Sequence, residues 1–209
     1  MPKDIGFHFH GYEERTFGYH LPHLVTILKY VPEPHLIIDV RSGLGLFFEA
    51  CERNSIEAIG LEGTLSAVKT CEMKGLKALY HNLCYPFPLK SEIADVVFCN
   101  QVIEHLDDAT QNNVLREAYR ILKPKGYLFI YSPCKFNKAE QDKEGHINLL
   151  TPTILKCKML EAGFSQVDLS LNYPLPMNKL AALIPRILFW IIGPIDRLSA
   201  SAHAIGRKI

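Results

Sequence analysis

Apolar runs broken by turn residues alternate along this chain with segments of helical periodicity. His35–Phe48 is the stretch around which the rest is organised. It begins as an apolar run, passes an acid at Asp39, turns through Gly43 and Gly45, and re-enters an apolar segment. That order spells a buried strand, a tight loop and a helix start, the helix running to about Asn54. Upstream, Leu21, Leu24, Val25 and Leu28 share a stripe over His20–Tyr30, and Pro32 and Pro34 stop that helix. Downstream, Glu57–Leu61 reads as a second strand ended by Glu62. Thr64 is placed to cap a helix over Leu65–Lys74, with Gly75 as its stop. Lys77–Tyr80 reads as a third strand.

Asp95–Asn100 runs β-branched and aromatic without alternation, as a strand buried on both faces does. Asp108 is read as the cap of a helix to Leu122, with Val114, Leu115, Ala118, Ile121 and Leu122 on one face. Lys123–Gly126 ends it before a fifth strand, Tyr127–Ser132. Pro133–Asn148 reads as a polar loop. Thr151 followed by Pro152 opens a helix to Ala162, stopped by Gly163. Gln166–Asn172 and Ala202–Arg207 are the last strands. This alternation predicts an α/β fold, a Rossmann-like doubly wound sheet that is mostly parallel. The late strands lack a helical unit between them and are expected to lie antiparallel in the edge region.

The glycines and one acid carry the first chemical signal. Gly43 and Gly45 allow a sharp turn and a close ligand approach, and the following helix aims its N–H groups at that ligand. Glu62 ends the next strand about twenty residues on. There a carboxylate can accept two hydrogen bonds from an adenosine ribose. An ordinary strand–loop–helix turn with a surface glutamate would show the same residues.

Composition narrows the classes. Lys and Arg total 23 against 22 Asp and Glu, a formal charge of +1, so bulk electrostatics do not argue for nucleic acid. The six cysteines form no Cys-x-x-Cys pair, which suits reduced thiols in a cytoplasmic protein. No apolar signal-peptide core opens the chain. Leu180–Ile195 is apolar but interrupted by Pro185 and Arg186, too short and broken for a membrane span.

Four separated segments together resemble the class I S-adenosylmethionine-dependent methyltransferases, in particular the small UbiE-like group. They are Leu-Ile-Ile-Asp-Val-Arg-Ser-Gly-Leu-Gly at 36–45, Gly-Leu-Glu-Gly at 60–63, Ala-Asp-Val-Val-Phe-Cys-Asn-Gln-Val-Ile-Glu-His-Leu at 94–106, and Glu-Ala-Tyr-Arg-Ile-Leu-Lys-Pro-Lys-Gly-Tyr-Leu at 117–128. Gly-His-Ile-Asn-Leu-Leu-Thr-Pro at 145–152 is a weaker fifth. The resemblance implies a seven-stranded sheet with one antiparallel strand. It implies S-adenosylmethionine as cofactor and S-adenosylhomocysteine as product. It also implies that Asp39 sits near the methionine end, Gly43 and Gly45 pass beneath the cofactor, and Glu62 with Gly63 holds the ribose. Asn82 and Leu83 would meet the adenine, and Asn100 and Gln101 would line the pocket beside the methyl group.

Arg41 departs from the family pattern, which has glycine at the first loop position. Arginine tolerates positive φ poorly. Three readings follow: the loop shifts with Arg41 turned outward, Arg41 pairs with the cofactor carboxylate, or the site is weakened and transfer is lost.

Methyl transfer from a sulfonium is an in-line displacement, so a base is needed only where the acceptor must lose a proton. His146 and His105 are the candidate bases, each with an alternative role as a structural anchor. Glu104, beside His105, could orient it, although adjacent residues usually point apart. His8, His10, Tyr12, Tyr19, His20 and His23 are irregularly spaced and lack ligand-interval acids or cysteines, so they are read as part of a lid and no metal is expected. In Met177–Leu198, apolar residues recur at helical spacing; from Met177 onward Lys179, Arg186, Arg197, Arg207 and Lys208 face one acid, Asp196. Such a segment suits a peripheral membrane contact, a roof over an apolar acceptor, a packed cap or a dimer contact.

The expectation is one domain, 1–209, with a lid over 1–31 and an apolar helical insertion over about 174–200. Its expected activity is methyl transfer to a small, apolar acceptor, at oxygen. The alternatives are a cofactor-binding protein of this fold without transfer, or one using the cofactor for a non-methyl reaction.

Overall fold

The computed structural model describes residues 17–170, 196 and 199–209. Helix α1 (Leu21–Tyr30) follows a 3-10 turn, Phe17–His20. The alternation then runs β1 (Leu36–Val40), α2 (Leu46–Glu52), β2 (Glu57–Glu62), α3 (Leu65–Met73), β3 (Lys77–Tyr80), β4 (Ala94–Asn100), α4 (Asp108–Ile121), β5 (Leu122–Tyr131), α5 (Lys138–Gln141), α6 (Pro152–Glu161), β6 (Gln166–Ser170) and β7 (His203–Arg207). The seven strands are ordered β3-β2-β1-β4-β5-β7-β6. β1 to β5 pair in parallel, and β7 runs antiparallel to both β5 and β6. The expected antiparallel strand is therefore β7, one place in from the edge, with β6 outermost.

Strand periodicity builds a core on each side of the sheet. Ile38, Val97, Leu128 and Ile130 face the cluster completed by Leu115, Ala118 and Ile121 of α4. Their neighbours Ile37, Val96, Phe98 and Phe129 face the cluster completed by Leu24 and Ile27 of α1 and Phe47 of α2. Adjacent residues thus point to opposite faces, both covered, which explains the unbroken apolar runs of the central strands.

Local chemistry refines several boundaries. Asp107, not Asp108, caps α4: its side chain accepts the Thr110 N–H at 2.8 Å. Thr64 stands at the α3 N-cap without a side-chain cap bond, and its own N–H donates to Glu62 Oε1. Thr151 does cap α6, accepting from the Ile154 N–H at 3.3 Å. β5 begins immediately after α4: Leu122 pairs with Ala94, a register shift absorbs the Lys-Pro-Lys-Gly segment, which is not a turn but part of β5, and Tyr127 then pairs with Val96. The polar loop after β5 contains the short α5. Among the described residues, no helix is long and apolar enough to cross a membrane. Most of the expected lid and nearly all of the expected insertion lie outside the described residues.

Candidate active site

The connections from β1 and β4 leave to opposite sides of the sheet, so the carboxyl ends of these neighbouring strands bound a crevice. The loop after β1 is folded back onto β2. The Arg41 N–H donates to the Leu61 carbonyl at 2.6 Å, and the Ser42 N–H reaches the same oxygen at 3.3 Å. Glu62, only 1% exposed, fixes the loop from the other side. Its Oε2 accepts the Gly43 N–H at 2.9 Å and its Oε1 accepts the Thr64 N–H at 2.9 Å. A carboxylate has about four acceptor positions, so roughly two remain for ligand hydroxyls.

Helix α3 secures the same loop. The Cys71 thiol donates to the Gly43 carbonyl at 3.4 Å, and Lys74 Nζ donates to the Leu44 carbonyl at 3.0 Å. Gly45, at φ 81°, forms the N-cap of α2; a Cβ there would come within 2.5 Å of Leu76 Cδ1. Gly60, to which the sequence reading assigns no role, is equally constrained: its Cβ would collide with Phe48 and the Ser42 hydroxyl. That packing brings the loop down onto β2, and no local motif announces it. Asp39 is 4% exposed, and burial together with the nearby Glu62 charge pushes its carboxyl well above the usual range.

Arg41 adopts φ 62°, the conformation its glycine counterpart would take without strain. Its positive charge acts on Glu104, His105 and Cys99. The guanidinium therefore influences the β4 side of the crevice, unlike an arginine turned wholly outward.

At the end of β4, Asn100 is half-buried and Gln101 is exposed at φ 56°, its N–H donating to the Tyr131 carbonyl at 2.8 Å. A 3-10 turn, Ile103–His105, follows. The turn brings Glu104 and His105 to one cluster with His146, despite their adjacency in the chain: a ligand-type atom from each lies within 4.8 Å of the others. His105 Nδ1 lies 2.8 Å from the Gly145 carbonyl, and His146 Nδ1 lies 2.8 Å from the Glu140 carbonyl. The two rings meet edge to face at 4.8 Å. Both Nδ1 atoms must be donors, since a carbonyl only accepts, and each Nε2 keeps its lone pair when the ring is neutral. Burial lowers His105 to about 4, with the Arg41 and His146 charges acting the same way.

Glu104 is fully buried. Oε2 accepts from the Ser132 hydroxyl at 3.1 Å, while Oε1 has no hydrogen-bond partner. Burial raises its pKa to about 7, against the opposing Ser132 bond and Arg41 charge. The Ile147 and Asn148 N–H groups both donate to the Glu104 carbonyl, and Gln111 Nε2 bridges the Ile103 and Asn148 carbonyls, strapping the His146 loop to the β4 turn. Ser132 is the site residue that sequence reasoning missed, and the bond it makes to Glu104 has no local signal.

The remaining expected residues are more peripheral. Gly63 is exposed, and a Cβ there would approach only the His81 carbonyl, at 3.6 Å. Asn82 is exposed and its Oδ1 accepts the Cys84 N–H at 3.0 Å. Leu83 is 9% exposed and packs into the α4-side core. A surface cavity of about 310 Å³, lined by Pro34, His35, Asn54 and Ile56 among others, lies at the amino-terminal end of β1, away from this chemistry.

Residues 38–130 match the family model described as a methyltransferase domain. That stretch runs from β1 through most of β5, and the seven-stranded sheet that carries it has the class I methyltransferase fold. A SAM-dependent methyltransferase from Archaeoglobus fulgidus is similar at a TM-score of 0.73 and 21% identity, over 97% of this chain and 100% of that one. A possible histamine N-methyltransferase from Thermotoga maritima is similar at 0.63 and 24%, over 96% of each chain. Phosphoethanolamine N-methyltransferase 2 of Haemonchus contortus, solved with S-adenosyl-L-methionine, is similar at 0.63 and 14%, over 90% of this chain and 52% of that one. These structures share the fold of this methyltransferase domain. No curated protein sequence matches the chain.

Proposed function

We propose that this methyltransferase domain transfers the methyl group of S-adenosylmethionine to a hydroxyl of a small, apolar acceptor. The observation that carries the reading is the pair His105 and His146, anchored through Nδ1 with Nε2 left as base, at the end of β4. When bound, the cofactor supplies an electrophilic methyl whose C–S bond breaks as the acceptor's C–O bond forms, leaving neutral S-adenosylhomocysteine.

The chain's residues suit that cofactor. Glu62 keeps acceptor positions for the ribose, with Gly63 beside it, and the loop held down at Gly60 and Gly45 leaves a close backbone approach at Gly43. Asp39 lies beneath the methionine end. Arg41 receives the methionine carboxylate as a charge-assisted pair. Asn82 and Leu83 flank the adenine, while Asn100 and Gln101 border the methyl. His146, with His105 against it, takes the acceptor hydroxyl's proton at Nε2 as the new bond forms. The chain acts as one cytoplasmic domain, with 1–31 as lid and 174–200 roofing the acceptor or touching a membrane or a second copy.

Incubation with labelled cofactor and a panel of hydroxyl-bearing acceptors should give label transfer and S-adenosylhomocysteine. His146→Ala should slow transfer by about 10²–10⁴-fold with cofactor affinity unchanged. Tight cofactor binding with no transfer would favour the second reading, a binding protein without methyltransferase activity, to which Arg41 in a glycine's conformation points.

A further inference from the structure

We propose that Glu104, His105 and His146 together bind one divalent transition-metal ion of the zinc class. This deepens the methyl-transfer reading and rests on it for its role, though not for its geometry. Three observations carry it. The candidate ligand atoms of the three residues lie within 4.8 Å of one another. Around one tetrahedral zinc with bonds of about 2.1 Å the ligand atoms stand roughly 3.4 Å apart, so the three side chains must draw together to share one ion. Both imidazoles hold backbone carbonyls through Nδ1, at 2.8 Å each, which fixes the Nε2 lone pair as the ligand. This is the outer-shell arrangement that orients metal-bound histidines. Finally, Glu104 Oε1 is buried with no hydrogen-bond partner. Such an atom is rare in folded proteins, and a cation would satisfy it.

Nitrogen and carboxylate ligands suit zinc, cobalt or manganese rather than calcium or magnesium, which take oxygen. The charged groups facing the cluster are Arg41, which opposes a cation, and Glu140, whose Oε2 lies 3.7 Å from His146 Nδ1 and favours one. Three protein ligands leave a position open. An acceptor hydroxyl coordinated there loses its proton to solvent at near-neutral pH, and its oxygen attacks the methyl carbon. The histidine lone pairs then serve as ligands, and the ion instead of a free imidazole acidifies the acceptor.

The test uses the full chain, stripped with chelator and titrated with Co²⁺ under visible spectroscopy, then with Zn²⁺ in competition. One equivalent should bind, with nitrogen–oxygen d–d bands and no thiolate charge-transfer band. His146→Ala and Glu104→Gln, each confirmed folded by circular dichroism, should each weaken binding at least tenfold. His8→Ala with His10→Ala should leave it unchanged. Absence of stoichiometric binding, thiolate bands, or unaltered affinity in the two site variants would overturn the proposal. Methyl transfer that persists in chelator would overturn it while leaving the methyltransferase reading intact; cobalt binding at these residues without any transfer would do the reverse.

Discussion

The Glu62 carboxylate accepts the Gly43 N–H at 2.9 Å across a 19-residue separation, joining the end of β2 to the loop after β1. The acid expected to hold a ribose is thus also the staple that shapes the loop proposed to run beneath the cofactor. Glu62→Gln keeps the size but replaces one acceptor by a donor, facing either the Gly43 or the Thr64 N–H with another N–H. An unsatisfied buried donor costs about 1–3 kcal/mol, and in a chain of this length each kcal/mol moves Tm by roughly 2–4 °C. Calorimetry should show a Tm several degrees lower and cofactor affinity reduced at least tenfold. An unchanged Tm would mean that the staple does not shape the loop.

Arg41 at φ 62° makes a second prediction. Arg41→Gly relieves a left-handed strain of about 1–2 kcal/mol and loses part of that gain, about 0.5–1 kcal/mol, to glycine's greater unfolded freedom. Stability should hold or rise slightly. If Arg41 pairs with the cofactor carboxylate, removing a charge-assisted bond worth about 1.5–3 kcal/mol weakens cofactor binding by roughly 10–100-fold. Titration calorimetry separates the outcomes: weaker binding supports the pair, equal affinity makes Arg41 a bystander, and tighter binding identifies it as an obstruction.

The sheet was readable because its signals are local. Two-sided burial at Ile37, Ile38, Val96 and Val97 leaves unbroken apolar runs, and Gly75 and Gly163 stop their helices at φ 78° and 110°. The α4 cap was misplaced by one residue because Asp107 and Asp108 are both suitable and only the bond to Thr110 separates them. The Lys-Pro-Lys-Gly segment looked like a turn, yet it belongs to β5 because pairing with β4 tolerates an irregularity there. At the site, Glu62 and the glycines stood out by spacing. The Glu104–His105–His146 grouping did not, since it depends on a 3-10 turn and on a strap between segments some forty residues apart.

Gly60 tests whether the loop must lie on β2. A Cβ at Gly60 would overlap Phe48 and the Ser42 side chain, and Phe48 is fully buried, with little room to yield. Gly60→Ala should therefore cost about 1–3 kcal/mol and lift the Ser42–Gly43 segment. Urea denaturation should show a lower midpoint, and calorimetry a weaker cofactor. Gly63→Ala is the control: its Cβ would meet only the His81 carbonyl, at an ordinary 3.6 Å, so stability should be nearly unchanged.

His203 at the start of β7 makes stability depend on pH. Its ring lies 4.9 Å from that of Tyr131, and burial, with the nearby His23 charge, lowers its pKa from 6.5 to about 4. Above pH 6.5 the residue is neutral in both folded and unfolded chains and contributes no pH dependence. As pH falls below 6.5 the unfolded chain takes up a proton that the folded chain refuses until about 4. Stability therefore declines through that window and levels below it. His203→Asn removes the titrating group from both states. Urea midpoints measured from pH 7.5 to 4 should fall less steeply for the variant than for the parent chain. Parallel curves through the window would mean that His203 is protonated as readily in the folded protein as in the unfolded one.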